Sequence, residues 1–275
     1  MTYRIVALDI DGTLLRDNEK IQRETKEAIH SLQDKGVFVT LVTGRSYVSA
    51  ERIMKQLRLK PFPLITHEGA FIGQDSKYPL AAHRLTPEFV LDNVRHFESY
   101  HCHMKLYGEK RVLANRHPEK SQLLKRMTIK ASEPLLYSTT YVDSLSDHLI
   151  EKPDSFLHMD IEFIDAEERR SAETGSFPSI RINDRTLRIV HPKASKLQGL
   201  LHICKLYQIK QEEIVAVGAC ERDRDMLQYA GLGVAMGQAP KEVKDVADWV
   251  TRSNEELGVA YMIKEVFRKQ YSILM

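Results

Sequence analysis

The chain has 275 residues and almost balanced charge, with 40 Lys and Arg against 38 Asp and Glu and a formal net charge of +2. This length can bury a sizeable core in one or two domains, and the balance argues against a nucleic-acid or polyanion partner. Three dispersed cysteines without a CxxC pair, no basic and apolar leader and no apolar run of membrane-spanning length predict a cytoplasmic protein without a membrane partner. The oligomeric state stays open.

The first predicted strand, residues 3–8, ends at two carboxylates, Asp9 and Asp11, which Gly12 follows. Side chains two apart on an extended segment point the same way, so both acids are expected to face one pocket, where they would attract Mg²⁺. Gly12 permits a sharp turn that brings backbone N–H groups close to an anionic ligand. The alternative is a solvated strand end with ordinary Asp–Gly turn residues.

Strands and helices alternate on either side of a long middle segment. Apolar residues at helical spacing predict a helix from Ile21 that Gly36 closes, and a β-branched run predicts a strand over residues 37–42. A second amphipathic helix follows, running to Leu57. Three more strands are predicted near the C-terminal end, over residues 214–217, 234–236 and 249–251. This alternation predicts an α/β fold, a doubly wound parallel sheet with helices on both faces.

The middle of the chain follows a different pattern. Thr86, followed by proline, is typical of a helix N-cap, and residues 101–107 and 159–163 alternate as half-buried antiparallel strands do. Three residues of the first of these strands share its polar face and are expected to be solvated rather than to bind a ligand: His101, His103 and Tyr107. The predicted domains are an α/β core of residues 1–82 and 187–275 and an α+β insert of residues 83–186.

Two segments of the core resemble motifs of the haloacid dehalogenase-like phosphatases. Residues 9–15, DIDGTLL, resemble the nucleophile motif, which implies that Asp9 attacks a phosphoryl group and forms an aspartyl phosphate, while Asp11 acts as general acid and base. Residues 41–45, LVTGR, resemble the second motif. The resemblance implies that the Thr43 hydroxyl and backbone N–H groups, including those of Ile10 and Gly44, bind the phosphoryl oxygens. Taken alone, a Thr–Gly pair is usually only a turn.

A third motif should supply a cation, because negative charge accumulates around the phosphoryl group in the transition state. The pair Ser195–Lys196 follows a strand predicted over residues 186–190 and resembles the family's third motif, with Ser195 as N-cap and Lys196 as the cation. Lys193 competes with Lys196 by position. The alternative is that Lys196 is an ordinary surface lysine.

The fourth motif departs from the family pattern Gly-Asp-x-x-Asn-Asp, since residues 218–223 read GACERD. Ala219 replaces the metal-binding acid, and Arg222 replaces the asparagine that in the family contacts the phosphoryl group or a metal-bound water. Losing a carboxylate and gaining a guanidinium should weaken Mg²⁺ binding. The expected metal ligands are Asp9, Asp11 and Asp223. Arg222 is expected either to bind phosphate or to pair with one of the two acids of the first motif.

Glu68 marks a second departure, because the family commonly has asparagine before the Gly–Ala pair that follows it here. We expect Glu68 to face solvent or to pair with a local cation rather than to replace a metal ligand.

The resemblance extends over most of the chain and identifies it as similar to Cof-type members with a C2-type cap. It implies a Mg²⁺-dependent phosphatase that acts on a small phosphorylated metabolite, of the sugar or nucleotide phosphate class, with activity attenuated by the changes at Ala219 and Arg222. The alternative is a catalytically weak or inactive protein that binds a phosphorylated metabolite or a protein partner in a regulatory role.

Overall fold

The structure is a computed structural model that describes residues 2–116, 138–173 and 179–272. The chain forms two compact units, one of Met1–Gln74 with Ser195–Met275 and one of Asp75–Ala194. The α+β insert therefore covers residues 75–194, where the sequence pattern predicted residues 83–186.

The N-terminal part of the first unit alternates strands and helices as expected. Its elements are β1 (Ile5–Leu8), α1 (Arg23–Asp34), β2 (Phe38–Leu41), α2 (Tyr47–Leu57), β3 (Leu64–Thr66) and β4 (Phe71–Gly73). Helix α1 is followed by Gly36 in the left-handed region, at φ +81°, where a glycine C-cap is favoured. Ser46 caps the N-terminus of helix α2, because its hydroxyl accepts a bond from the Ser49 N–H.

The insert contains a six-stranded sheet, one further short strand and helices. Its elements are β5 (Ala81–Ala82), α3 (Pro87–Phe97), β6 (Cys102–Tyr107), β7 (Arg111–Asn115), β8 (Ser138–Val142), α4 (Leu145–Glu151), β9 (His158–Phe163), α5 (Ala166–Ala172), β10 (Ser179–Asn183) and β11 (Thr186–Val190). The sheet order is β10-β11-β9-β6-β7-β8, and the pairs are antiparallel apart from β7 with β8. Thr86 caps α3 as predicted, because its hydroxyl accepts a bond from the Phe89 N–H.

The predicted domain boundary at residue 187 assigns most of the strand over residues 186–190 to the core, and the structure corrects this assignment. It is β11, which pairs antiparallel with both β9 and β10 of the insert. Its one charged residue, Arg188, is buried because the guanidinium donates to both oxygens of Asp160, at 2.7 and 2.8 Å. Two bonds to a carboxylate allow an arginine to be buried within a sheet.

The expected solvation of the polar face of β6 is wrong for two of its three residues. His103 is buried and shares a hydrogen bond with Asn115 Oδ1 at 3.1 Å, and Tyr107 is buried against the ring of His158, with ring centroids 4.3 Å apart. Only His101 is exposed. His103 is therefore buried beside Asn115 and Tyr107 is buried beside His158, although both lie on the polar face of the strand.

The C-terminal part of the chain completes the core. Its elements are α6 (Lys196–Leu206), β12 (Ile214–Gly218), α7 (Arg224–Tyr229), β13 (Leu232–Ala235), α8 (Lys241–Lys244), β14 (Trp249–Val250) and α9 (Gly258–Ser272). The core sheet has the order β14-β13-β12-β1-β2, with all neighbours parallel. Strand β1 pairs with β12 on one side and β2 on the other and is fully buried, so the residues that follow it start from a rigid position.

Within the described residues, no helix combines the length and apolar character needed to span a bilayer. The cytoplasmic location stays a prediction.

Candidate active site

Asp9 lies at the carboxyl end of β1 and is buried. Its backbone N–H donates to Val217 at 3.0 Å, which continues the pairing of β1 with β12 by one residue and fixes the start of the loop. Its Oδ1 accepts a bond from Lys196 Nζ at 2.8 Å, and the Thr13 hydroxyl donates to Oδ2 at 3.3 Å. The chain then turns at Gly12, with φ +72°. Carboxyl ends of parallel strands are where ligands of α/β sheets bind.

Lys196, rather than the exposed Lys193, carries the ammonium that reaches Asp9. It is the first residue of α6, after Ser195, whose hydroxyl accepts a bond from the Gln198 N–H at 3.0 Å. Its ammonium is buried and also donates to Asp223 Oδ1 at 2.7 Å. One cation therefore serves two buried carboxylates.

The pKa values of the two carboxylates that share Lys196 are shifted in opposite directions. Burial and the neighbouring Asp223 raise the pKa of Asp9 to about 7, although the ammonium opposes this. Burial also disfavours the charge of Asp223, but Lys196 and two backbone N–H groups outweigh it and lower the pKa of Asp223. Burial disfavours the ammonium, yet Asp9, Asp223 and Glu68 together raise the pKa of Lys196 well above its usual value. Asp223 and Lys196 thus stay charged, and Asp9 titrates near neutral pH.

The Asp223 side chain binds backbone groups of its own loop, which follows β12. Its Oδ2 accepts bonds from the N–H groups of Ala219 and Cys220, each at 2.9 Å, and from the Cys220 thiol at 3.2 Å. The carboxyl lies so close to Gly218 that a Cβ there would be 2.5 Å from Asp223 Cβ. These contacts and the bond to Lys196 account for the burial of Asp223, and they favour a capping role over the predicted metal-ligand role.

Asp11 differs from Asp9 in its surroundings, although the spacing of the two acids predicted a common pocket. Its side chain is 55% exposed and accepts two bonds from the Arg45 guanidinium, from Nε at 2.9 Å and from Nη2 at 2.5 Å. The negative charge of Asp11 contributes to the raised pKa of Asp9, so the two acids interact electrostatically. Arg45 was not recognised as a site residue, although it lies in the LVTGR segment at the same edge of the sheet.

Thr43 follows β2 and is completely buried. Its hydroxyl accepts a bond from the Arg45 N–H at 3.0 Å, which closes a tight turn around Gly44, and its own N–H donates to Ile65 at 2.8 Å. The phosphate-binding roles of Thr43, Gly44 and Ile10 stay predictions.

The segment after β3 is strained. His67 and Glu68 both have left-handed backbone conformations, at φ 52° and 57°, and Gly69 follows at φ 90°. Each non-glycine residue in this region costs about 1–2 kcal/mol. The segment is tied to the LVTGR turn, because the His67 N–H donates to Arg45 at 2.9 Å and the Glu68 N–H to Thr43 at 3.2 Å. Strain held in place by such bonds marks a conformation that the surrounding structure enforces.

This segment buries the Glu68 carboxylate beside a cation of the fourth motif. Arg222 Nε lies 2.9 Å from Glu68 Oε1, and the side chains are 28% and 3% exposed, respectively. The expected partners of Arg222, Asp9 or Asp11, are paired with Lys196 and Arg45. The two family departures at positions 68 and 222 therefore form an ion pair, as expected for Glu68 in the case of a local cation.

The close packing of Gly69 leads to a stability prediction. A Cβ at Gly69 would lie well inside van der Waals contact with the Ser195 carbonyl oxygen, whereas a Cβ at Gly36, which has a similar φ, would meet nothing within 4 Å. We expect Gly69→Ala to lower the free energy of unfolding by at least about 3 kcal/mol and Gly36→Ala by about 1 kcal/mol, both measured by urea denaturation. Equal losses of unfolding free energy in the two variants would show that the backbone at Ser195 shifts to accommodate the extra methyl group.

The donor set does not fit a Mg²⁺ ion in the way the resemblance implies. Within residues 2–116, 138–173 and 179–272, no three His, Cys, Asp or Glu side chains group as metal ligands. Ala219 offers a methyl group where the family has an acid, and both Asp223 oxygens are engaged. Mg²⁺ requires several hard oxygen ligands in near-octahedral geometry. Both Asp11 oxygens accept bonds from Arg45, and Asp9 Oδ2 has only the long bond from Thr13 among the described residues.

The resemblance of the first and third motifs implies an enzyme that hydrolyses phosphoric monoesters. Relatives named as phosphatases confirm this class for the chain. A family model described as haloacid dehalogenase-like hydrolase matches residues 6–263, so the chain belongs to that family.

Individual relatives agree with the family assignment. The stress response protein YhaX of Bacillus subtilis (strain 168) is 41% identical over 275 residues, which cover 98% of this chain and 95% of YhaX. The 5-amino-6-(5-phospho-D-ribitylamino)uracil phosphatase YitU of the same organism is 31% identical, over 96% and 97% of the two chains. A solved haloacid dehalogenase-like hydrolase from Bacteroides thetaiotaomicron has the same fold, with a TM-score of 0.82 at 22% identity, over 97% and 100% of the two chains. The predicted fold class and Cof-type family are thereby confirmed.

Proposed function

We propose that the protein hydrolyses a small phosphorylated metabolite of the sugar or nucleotide phosphate class through an aspartyl phosphate on Asp9. The bond from Lys196 Nζ to Asp9 Oδ1, 2.8 Å long and buried, carries this proposal. Among the described residues, the other oxygen, Oδ2, has only a long contact to the Thr13 hydroxyl, so one carboxylate oxygen can attack while the other is neutralised. A nearby buried cation also stabilises the charge that develops on the transferring group.

The proposed reaction has two displacements. In the first, an Asp9 oxygen attacks phosphorus, the bond from phosphorus to the leaving oxygen breaks, and Asp11 gives that oxygen a proton. In the second, Asp11 takes a proton from a water molecule, which attacks phosphorus and releases inorganic phosphate, restoring the Asp9 carboxylate. Arg45 holds Asp11 through two bonds and so fixes the position of its carboxyl group. Thr43, Gly44, Ile10 and Lys196 are proposed to bind the phosphoryl oxygens.

We propose that Mg²⁺ binds this site only weakly, which attenuates turnover. The missing acid at Ala219 and the engagement of Asp223 by its own loop support this part of the proposal. Asp9, Asp11 and Asp223 are the ligands that the family resemblance implies, and of these Asp223 has its oxygens most fully occupied.

A panel of phosphate esters tests the hydrolysis directly. The panel contains sugar phosphates, nucleotides and 5-amino-6-(5-phospho-D-ribitylamino)uracil, the last because the relative YitU is named for it. We expect phosphate release from at least one of these esters. Release is measured by a colorimetric phosphate assay with Mg²⁺ and with EDTA, and Asp9→Asn prepared in parallel is the control for contaminating phosphatases. Equal rates in the two proteins, or no release from any ester, would rule out the proposed activity.

The second candidate function is regulatory binding of a phosphorylated metabolite or a protein partner with little turnover. The loss of the fourth-motif acid at Ala219 favours it, and the relative YhaX is named a stress response protein. This function predicts that an ester of the panel binds tightly without being hydrolysed. Calorimetric titration of the same panel therefore separates the two functions.

A further inference from the structure

The pair of Glu68 and Arg222 combines features that an ordinary surface ion pair lacks. Glu68 is 3% exposed in its side chain and its carboxylate lies 2.9 Å from Arg222 Nε. Its backbone is left-handed at φ 57°, and its N–H is bonded to Thr43 of the predicted phosphate-binding turn. The left-handed backbone at Glu68 thus places its buried carboxylate beside Arg222.

The pair lies within the charge network of the candidate active site. The charge of Glu68 contributes to the raised pKa of Lys196, and that of Arg222 acts on Cys220, which also responds to Asp9. Helix α6, which begins with Lys196, contacts both the Glu68 segment and the loop of residues 221–223. Arg222 therefore adds a second cation to the segments that helix α6 contacts.

Arg222 differs from Lys196 in its access to solutes. Its side chain is 28% exposed, whereas that of Lys196 is 2% exposed. The guanidinium is planar and presents several N–H donors, so contact with a carboxylate through Nε does not exhaust its capacity to bind an oxyanion. The ion-pair contact with Glu68 restricts where the guanidinium lies before any ligand arrives.

We propose that Glu68 is a positioning residue that holds the Arg222 guanidinium for a phosphoryl oxyanion, so that oxyanion binding at this site does not need Mg²⁺. The inference rests on the proposed function in placing a phosphoryl group here. It explains why two family departures occur together with the loss of the acid at Ala219: the cation that the metal would bring is provided by a side chain.

Inorganic phosphate is the probe, titrated by calorimetry into the full-length protein in EDTA and in Mg²⁺. We expect the two dissociation constants to agree within about threefold, and Arg222→Met to weaken binding at least about tenfold in EDTA. Arg224→Met is the matched control, because Arg224 is a nearby arginine paired with Glu221 at the surface, and it should leave the dissociation constant within about twofold. Binding that requires Mg²⁺, or equal effects of the two variants, overturns the proposal.

A double-mutant cycle tests the role of Glu68. Glu68→Gln should weaken phosphate binding several-fold in the wild-type background and have no further effect on binding beside Arg222→Met, because Glu68 acts through Arg222. A purely structural role would instead lower the thermal stability and leave phosphate binding unchanged. If Arg222→Met alone does not fold because Glu68 is left buried, the double variant retains the test and should still bind at least about tenfold more weakly than wild type.

Binding and hydrolysis can fail separately. A protein that binds phosphate in EDTA but releases none from the ester panel contradicts the proposed hydrolysis and keeps this inference. A protein that both hydrolyses esters and binds phosphate only with Mg²⁺ keeps the hydrolysis and overturns this inference.

Discussion

Asp9→Asn is expected to abolish phosphate release and, at the same time, to make the metal-free protein more stable above pH 7. Loss of the nucleophile should lower kcat by about 10³-fold or more. The gain in stability follows from the surroundings of Asp9, where burial and Asp223 raise the pKa of its carboxyl to about 7. Asparagine keeps the shape of the side chain without its charge, and Lys196 remains neutralised by Asp223.

The pH dependence of this effect has a definite sign. An aspartate in the unfolded chain has a pKa near 3.9, so between about pH 4 and pH 7 the native protein binds more protons than the unfolded chain. The stability of the wild type therefore falls as the pH rises through this window, and the deficit is complete above pH 7. Asp9→Asn should match the wild type near pH 4 and exceed it at pH 8, by up to about 4 kcal/mol.

Urea denaturation at pH 5 and pH 8 in EDTA measures this difference, and Asp11→Asn is the matched control. The Asp11 side chain is 55% exposed and paired with Arg45, so its removal should change the free energy of unfolding by no more than about 1 kcal/mol at either pH. A loss of stability in Asp9→Asn at pH 8 would mean that the bond from Lys196 to Asp9 stabilises the native protein more than burial of the charged Asp9 beside Asp223 destabilises it.

A concerted exchange at three positions should restore strong Mg²⁺ dependence. Ala219→Asp returns a carboxylate to the loop after β12, and Arg222→Asn with Glu68→Asn removes the ion pair from the site. We expect the triple variant to bind Mg²⁺ measurably in calorimetry and to hydrolyse the best ester of the panel at least about tenfold faster with Mg²⁺ than with EDTA. The wild type should show a much smaller ratio.

The matched control is the double variant with Ala219→Asp and Arg222→Asn. It leaves the buried Glu68 without the guanidinium that lies 2.9 Å away, so it should unfold about 1–3 kcal/mol more easily than the triple variant. Equal Mg²⁺ dependence in wild type and triple variant would show that the changes at these positions never impaired metal binding.

Local patterns were sufficient to predict the scaffold of the site. The apolar run before Asp9, the β-branched run before Thr43 and the Ser–Lys helix start each depend on a few neighbouring residues, and each lies where it was expected. The strand over residues 186–190 was assigned to the wrong unit, because its apolar pattern suits either sheet and only the pairing with β9 and β10 decides between them.

The charge pairs could not be predicted in the same way. Arg45 with Asp11 and Arg222 with Glu68 join residues that are distant in the chain, and helical or strand periodicity says nothing about which acid meets which cation. The shared use of Lys196 by Asp9 and Asp223 depends on three separate loops converging. The departures from the family motif were visible in the sequence, but their mutual compensation required the structure.

The Glu68–Arg222 pair also restricts how this protein can diverge. Replacing either residue alone leaves a charge without its partner, so single changes pass through a less stable intermediate. The two positions are therefore expected to change together in descent, and an alignment of close relatives should show glutamate at position 68 wherever arginine occupies position 222. Lineages that regain an acid at position 219 should have lost both members of the pair.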